Sequence, residues 1–316
     1  MMNRFFFCGD PVKGAAEVFV IMKKDRFRSL SGEIKMSVKI ITDSGSDISQ
    51  EYAKQLGVRV IPLIFSFGEE EYEDGVNISN HEFYEKLENC EELPKTSQIT
   101  PFRYTEVFKE ETADGSEAVY ISISSGVSGC FQSATLAAKE FDGRVKVFDS
   151  KHFCISLRIL TEYAARLSKE GKSAGEIMAL LDEALKKVRI IAIFATLENL
   201  KKGGRISSAA AFVGGMLSIK PIITITDGKV DVLGKVKGMK NGYKVMREYI
   251  EKEGGIDLDM PFSVAYSGTD DTNINGFMEG NRDLFGDVDD LPLSYVGATV
   301  GTYAGPGAIS AAYFVK

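Results

Sequence analysis

The sequence predicts an α/β fold, with an N-terminal domain built on a parallel sheet and a C-terminal α+β domain. As far as about residue 157, short apolar runs alternate with amphipathic stretches, which is typical of parallel strands covered by helices on both faces. Beyond that point two apolar runs meet at Asp227-Gly228, a dipeptide that favours antiparallel hairpins. The length of 316 residues, about twice the ~150 residues of a typical domain, also favours two domains.

In the first half of the chain, apolar runs predict strands and amphipathic stretches predict helices. The predicted strands are 38–42, 58–65, 117–123 and 144–150, and the predicted helices are 48–56, 80–89, 101–112 and 130–141. Ser79 and Glu82 have the spacing of a capping box at the start of the second helix. Thr100 followed by Pro101 predicts an N-cap with proline at the first helical position.

The second half predicts a sheet of different build, because a hairpin lies among helices. The predicted helices are 152–170, 173–188, a small-residue helix around 206–214, 240–253 and 270–284. The predicted strands are 189–195, 221–227, 229–236, 261–267, 293–300 and 311–315. We therefore expect a mixed or antiparallel sheet in this half.

These patterns divide the chain into three parts. Residues 1–36 carry seven basic and four acidic residues and lack clear periodicity, so we expect an N-terminal extension outside the fold, an anchoring arm being the alternative. The first strand signal begins directly after Met36. The predicted domains are 37–157, the α/β domain, and 158–316, the α+β domain.

Composition excludes several classes of function. Lys and Arg number 38 against 45 Asp and Glu, and a net charge of −7 disfavours non-specific binding of nucleic acid or anionic membranes. No apolar run reaches the ~18 residues of a membrane span, so we expect no stable membrane insertion. The cysteines form no C-x-x-C motif, which favours reduced thiols in a cytoplasmic protein. Four scattered cysteines and two histidines leave little material for a zinc site or a Ser-His-Asp triad.

Polar motifs follow several predicted strands, where ligands of open α/β sheets bind. They are Thr42-Asp43-Ser44, Thr96-Ser97-Gln98, the run from Ser124 to Gly129, and Gly305-Pro306-Gly307-Ala308. The third motif places serine hydroxyls and free N–H groups at a helix start, which suits a carboxylate or a phosphate. A tight turn explains the same residues equally well. An Asx-turn would account for Asp43 and Ser44 without any ligand. Arg205 follows a glycine pair and is either a solvated charge or a contact for a partner or a phosphate.

Taken in order, the motifs resemble the DegV family. The resemblance rests on T-D-S, T-S-Q, S-S-G-x-S-G-x-x-Q-S-A, L-E-N-L-K-K-G-G-R-I-S, I-K-P-I-I and G-P-G-A, and it runs from about residue 38 to 316. It implies a two-domain protein that binds a long-chain fatty acid and needs no cofactor. It also implies a partner, the ATP-binding subunit of a fatty acid kinase, to which the carboxylate is presented for acyl-phosphate formation in phospholipid synthesis.

The resemblance also implies roles for particular residues. Thr96, Ser97 and Ser125 match the carboxylate ligands of the family, and Tyr303 and Lys237 stand where many relatives have histidine and some have arginine. The residues expected to support the site are Asp43, Ser44, Gly126 and Gly305. Arg205 matches an arginine expected at the surface that the kinase uses.

Two other classes of function stay open at this point. One is an enzyme of a related fold, either a kinase of small hydroxyketones or a serine hydrolase using Ser125 or Ser128, with Asp43 as the evident base. The other is a scaffold that uses the surface from Lys201 to Arg205 only for docking. Because the predicted site is rich in donors and poor in bases, the lipid carrier is the leading hypothesis.

Overall fold

Three sheets and the helices that cover them make up the fold. The computed structural model describes residues 38–206, 218–286 and 292–316. The strands in these ranges are β1 (Lys39–Asp43), β2 (Val58–Ile61), β3 (Ile64–Phe67), β4 (Glu70–Glu73), β5 (Lys95–Ser97), β6 (Ala118–Ser122), β7 (Val145–Asp149), β8 (Val188–Ile193), β9 (Ile219–Thr226), β10 (Lys229–Lys237), β11 (Ser263–Tyr266), β12 (Leu293–Tyr295) and β13 (Ile309–Phe314). The α-helices are α1 (Gln50–Leu56), α2 (Asn80–Asn89), α3 (Pro101–Glu111), α4 (Cys130–Ala138), α5 (Ile155–Lys169), α6 (Ala174–Leu185), α7 (Glu198–Lys202), α8 (Met239–Lys252), α9 (Thr272–Asn281) and α10 (Ala298–Ala304).

The first sheet is entirely parallel, with the strand order β2-β1-β6-β7. All five residues of β6 are buried, because helices cover both faces of a parallel sheet. The predicted helix starts occur as expected: Ser79 and Glu82 form a capping box on α2, and Thr100 caps α3 ahead of Pro101. Local sequence therefore determines where these two helices begin.

The second sheet is mixed, with the order β10-β9-β8-β13-β11-β12. All its pairings are antiparallel except β11 with β12. The β9–β10 hairpin turns at Asp227-Gly228, both with positive φ, as a two-residue hairpin loop requires. The predicted fold class, a parallel α/β layer with a second α+β layer, is confirmed.

Helix α5 packs against both layers. It contacts β1 and β6 of the parallel sheet and β11 and β13 of the mixed sheet. Eleven of its fifteen residues are buried, a consequence of being covered on two sides. None of the helices in the described ranges has the length and hydrophobicity of a membrane span.

The third sheet was not predicted. The expected strand 58–65 is in fact two strands, because Pro62 lacks the N–H that a continuous ladder needs. Its second half, β3, pairs with β4 and β5 in a small antiparallel sheet with the order β4-β3-β5. This sheet brings the Thr96-Ser97 segment into a fixed position.

The prediction for residues 293–300 was also wrong. Only Leu293–Tyr295 forms a strand, and a helix, α10, begins at Ala298. The β-branched Thr299 and Val300 favour a strand locally, but distant carboxylates accept the first N–H groups of this helix. The predicted extension 1–36 and, apart from its first residue, the predicted helix 206–214 lie outside the described residues.

Candidate functional site

A cavity of about 240 Å³ lies where several elements meet. At about 30 Å³ per water molecule, it is much larger than a packing defect. Its apolar walls come from Leu63, Ile123, Val127, Phe153, Leu200, Val230 and Val300. Its other lining residues are Thr96, Ser97, Gln98, Ser128, Gly129, Thr299, Tyr303 and Arg205.

The pair Thr96 and Tyr303 joins two walls of this cavity. The Thr96 Oγ1 and the Tyr303 hydroxyl oxygen are 2.6 Å apart, and either group can be the donor. Thr96 lies on β5 and Tyr303 on α10, 207 positions along the chain. Two motifs that the sequence analysis singled out separately are therefore in direct contact at the cavity.

Ser128 and Gly129 bring the start of α4 to the same cavity. The Ser128 Oγ accepts the Cys130 N–H at 3.3 Å. A Cβ on Gly129 would lie 1.7 Å from the Gln98 Oε1, so glycine lets the Gln98 side chain lie against this turn. Since Thr96, Ser97 and Gln98 are consecutive, the hydroxyls of Thr96 and Tyr303 and the start of α4 form one polar cluster.

Ser125, three residues before Ser128, does not line the cavity. Its hydroxyl accepts a hydrogen bond from the Lys151 Nζ at 2.9 Å, and its N–H donates to the Asp149 Oδ1 at 3.1 Å. Successive residues of this loop point in different directions, so one motif serves two surfaces. The predicted contact of Ser125 with a carboxylate stays a prediction.

The first residues of the same motif hold the β9–β10 hairpin. The Ser124 Oγ donates to the Gly228 carbonyl at 2.7 Å. A Cβ on Gly126 would lie 2.6 Å from that carbonyl oxygen, so only glycine allows this approach. Gly126, predicted to support the site, thus contacts the hairpin, whose strand β10 supplies Val230 to the cavity wall.

Lys237 and Arg205 lie in different places. Lys237, the last residue of β10, is exposed and borders a separate surface groove between α8 and α9. It is not among the lining residues of the cavity, and its predicted contact with a carboxylate stays a prediction. Arg205 is exposed at the cavity, with its guanidinium 4.9 Å from the centre of the Tyr303 ring and a hydrogen bond to the Gly203 carbonyl.

Asp43 lies behind the cavity wall and holds it. Its carboxylate accepts the Ile123 N–H at 2.8 Å, the Tyr120 hydroxyl at 2.6 Å and the Gly45 N–H at 3.0 Å. Burial raises the pKa of Asp43 to about 6, although these three donors stabilise the charged form. All three donors are protein groups and Asp43 does not line the cavity, so it contacts the cavity wall through the Ile123 N–H.

Ser44 and Gly305 also act through neighbours. The Ser44 Oγ accepts the N–H of Leu63, a wall residue, at 3.0 Å and donates to Asp74. Gly305 ends α10 with a φ of 68°, a left-handed conformation that glycine adopts without strain. Its carbonyl accepts a hydrogen bond from the Ser267 hydroxyl at 2.6 Å.

Several lining residues escaped the sequence analysis. Phe153, Leu200, Val230 and Leu63 come from four separate segments, and each is indistinguishable in sequence from an ordinary core residue. Thr299 lies in a segment predicted as a strand. These residues meet only in the folded chain, so no local sequence pattern identifies them as lining residues.

The described lining contains no histidine, cysteine or carboxylate. The ring of His152 lies elsewhere, with Nδ1 3.1 Å from the Ser156 hydroxyl, and burial lowers its pKa to about 4. Across the described part of the chain, no group of three or more potential metal ligands occurs. The cavity offers hydroxyls and an amide that can donate hydrogen bonds beside apolar walls, and the exposed Arg205 guanidinium also borders it.

The chain is a mixed α/β protein with a cavity lined by apolar and polar side chains. A protein-family model described as "Uncharacterised protein, DegV family" matches residues 37–316. The chain belongs to the DegV family. A DegV domain-containing protein of Caldanaerobacter subterraneus is 34% identical over 272 residues, which cover 86% of this chain and 96% of that protein.

Solved structures show the same fold. A DegV family protein from Thermus thermophilus, described as binding fatty acid, superimposes with a TM-score of 0.80 at 30% identity, covering 89% of this chain and 100% of that one. A protein from Eubacterium ventriosum, described as binding stearic acid, gives a TM-score of 0.76 at 29% identity, covering 87% and 97%. Both matches span nearly all of the described residues.

Proposed function

We propose that this protein binds a long-chain fatty acid in the cavity. The carboxylate meets Thr96, Ser97, Tyr303 and Ser128, and the tail lies against the apolar walls. The protein itself is not an enzyme. It presents the carboxylate to a separate kinase subunit in the cytoplasm, and the resulting acyl phosphate enters phospholipid synthesis.

The observation that carries this proposal is the make-up of the lining. A polar cluster supplies donors on one part of the described wall, and seven apolar side chains supply another. Each buried methylene contributes about 0.8 kcal/mol, and each donor to a charged group contributes ~1.5–3 kcal/mol. A ligand with one acidic end and a long apolar tail matches both parts of this lining. Fatty acid binding by the Thermus thermophilus and Eubacterium ventriosum relatives supports the same conclusion.

The ligand itself is the first test. We expect mass spectrometry of protein purified without detergent, and denatured only afterwards, to release a fatty acid. Delipidated protein should then bind added palmitate or oleate, measured by calorimetry. Protein that is empty and has no affinity for either acid would contradict the proposal.

Two serines of one motif provide a matched pair of variants. Ser128→Ala removes a hydroxyl from the cavity and should weaken binding by about tenfold, as expected for a donor worth ~1.5 kcal/mol. Ser125→Ala removes a hydroxyl bound to Lys151 and should leave the affinity unchanged. The reverse result, with only Ser125→Ala weakening binding, would restore the sequence-based assignment.

The kinase contact is tested separately. Arg205 is exposed beside Tyr303, so we assign it to the surface that meets the kinase subunit. Arg205→Ala should preserve fatty acid affinity within about threefold and reduce acyl-phosphate formation by the added kinase. Equal loss of both would mean that Arg205 serves the ligand instead.

One contact favours a hydrolase as the second candidate. The Ser125 hydroxyl lies 2.9 Å from the Lys151 Nζ, a serine–lysine arrangement known from hydrolases. Yet the Nζ also lies 2.6 Å from the Asp149 Oδ2, and this ion pair stabilises the ammonium, which has no lone pair to accept a proton. Ester hydrolysis by the isolated protein, abolished in Ser125→Ala, would support this candidate.

A further inference from the structure

Helix α10 has no cap of its own. Its N-cap residue is Gly297, which has no side chain to accept the first N–H groups of the helix. An uncapped helix start inside a protein is costly, because buried N–H groups need partners. Here the partners come from two distant loops.

Two carboxylates accept these N–H groups. The Asp74 Oδ1 accepts the Ala298 N–H at 3.0 Å, and its Oδ2 accepts the Thr299 N–H at 3.1 Å. The Asp47 Oδ1 accepts the Gly297 N–H at 2.9 Å. A Cβ on Gly297 would lie 3.2 Å from an oxygen of each carboxylate, so both groups close against the helix start.

Asp74 is also hydrogen-bonded to a second lining segment of the cavity, at Leu63. Its own N–H donates to the Leu63 carbonyl at 2.9 Å. The Ser44 hydroxyl bridges the two, since it donates to the Asp74 Oδ2 and accepts the Leu63 N–H, both at 3.0 Å. Leu63 lines the cavity, as do Thr299 and Tyr303 of α10.

We propose that Asp74, assisted by Asp47, is the positioning residue of the ligand site: it fixes α10, and with it the Tyr303 hydroxyl, at a set distance from the wall that contains Leu63. The inference rests on the proposed function. Asp74 itself does not line the cavity and acts through α10 and Leu63.

A carboxylate is the group that this position requires. Asp74 accepts three hydrogen bonds through two oxygens, from Ala298, Thr299 and Ser44, and is 3% exposed. Asparagine has the same shape but replaces one accepting oxygen with an NH₂ donor, which would face another donor. The positive end of the helix also favours a negative charge here.

The test compares ligand affinity and local exchange in matched variants. Asp74→Ala and Asp74→Asn should each bind palmitate about tenfold or more weakly than wild type, as loss of a supporting contact typically does. Amide hydrogen exchange of the ligand-free variants should rise at Ala298 and Thr299. Affinity is measured well below the unfolding temperature, with folding checked by circular dichroism.

Ser173→Ala is the control for general destabilisation. Ser173 caps α6, whose residues do not line the cavity, so this variant loses a comparable helix cap and should keep wild-type affinity. If Asp74→Ala does not fold, Gly297→Ala, whose methyl group pushes against both carboxylates, takes its place with the same expected loss.

Each outcome decides between the two proposals. Wild-type affinity in the Asp74 variants, together with faster exchange in α10, would overturn the positioning role and leave fatty acid binding intact. A tenfold loss in Ser173→Ala as well would show that Asp74 acts only through stability, which also overturns it. Failure of the wild-type protein to bind any fatty acid would overturn the proposed function and this inference with it.

Discussion

At the scale of single residues, the cavity depends on hydroxyl groups that already have partners. The Tyr303 and Thr96 hydroxyls form a hydrogen bond of 2.6 Å, so each hydroxyl holds the other in place. Whichever hydroxyl accepts in this bond keeps its own proton, so one of the two groups can still donate to a carboxylate oxygen. The pair is therefore prepared for an anion.

Tyr303→Phe should weaken palmitate binding by about tenfold, because it removes a donor to a charged group worth ~1.5 kcal/mol. Tyr72→Phe is the control, since the Tyr72 hydroxyl bonds Glu70 and does not line the cavity. Both affinities are measured by calorimetry. Unchanged affinity in Tyr303→Phe would mean that the ring only forms part of the wall.

At the scale of elements, the β9–β10 hairpin is held by the loop between β6 and α4. Ser124 donates to the Gly228 carbonyl, and Gly126 leaves room for that carbonyl. The motif from Ser124 to Gly129 suggests an anion site from its sequence. In the structure it also joins the parallel sheet to the mixed sheet. The hairpin and the cavity are coupled through Val230.

Gly126→Ala should destabilise the protein by about 1–3 kcal/mol, because the new methyl group meets the Gly228 carbonyl oxygen. Gly175→Ala is the control: it lies on α6 with nothing within 4 Å of the new Cβ, and should stabilise the protein by ~0.5–1 kcal/mol. Urea unfolding of both variants gives the two values. A Gly126→Ala protein as stable as wild type would show that the hairpin can shift without cost.

At the scale of the whole molecule, two buried groups give opposite pH dependences of stability. Burial raises the pKa of Asp43 from 3.8 to about 6, so between pH 4 and 6 the native state holds a proton that the unfolded state releases. This contribution to stability is lost as the pH rises. Burial lowers the pKa of His152 from 6.5 to about 4, so the unfolded state binds the proton there, and its contribution rises with pH.

Asp43→Asn should remove the contribution of Asp43, while burial also raises the pKa values of Asp47 and Asp74, whose contributions remain. Relative to wild type, the free energy of unfolding of this variant should increase with pH between 4 and 6, by up to about 1.4 kcal/mol per pH unit. Urea unfolding at pH 4, 5, 6 and 7 measures the difference, in which other titrations cancel. Asp182→Asn, an exposed change on α6, is the control. If the free energy of unfolding changes with pH in the same way in wild type and Asp43→Asn, the prediction is wrong.

Much of the fold could be predicted because its signals are local. The capping residues Ser79 and Thr100 start α2 and α3, and Asp227-Gly228 turns the hairpin, each through contacts within a few positions. Strands β4 and β5 were missed because each has only three or four residues and few buried side chains. Short polar strands have no periodicity to detect.

The candidate site divides in the same way. Thr96 and Ser97 were found because their polar motif precedes the helix start at Pro101 and belongs to the DegV resemblance, and both line the cavity. Ser125 and Ser128 belong to one motif and are chemically identical, so only the direction of each side chain in the loop distinguishes them. The direction of Ser125 depends on Lys151, 26 positions along the chain, whereas Ser128 contacts Cys130 only two positions away.

The sequence by itself determined the class of fold, the family and the polar motifs, because capping, hydrophobic periodicity and turn chemistry act over a few residues. The tertiary structure alone decided which hydroxyls face the cavity, which apolar residues wall it, and that residues 298–304 form a helix. The physical reason is distance along the chain: the carboxylate of Asp74 accepts N–H groups of α10 that lie 224 and 225 positions away. No local pattern contains such a partner.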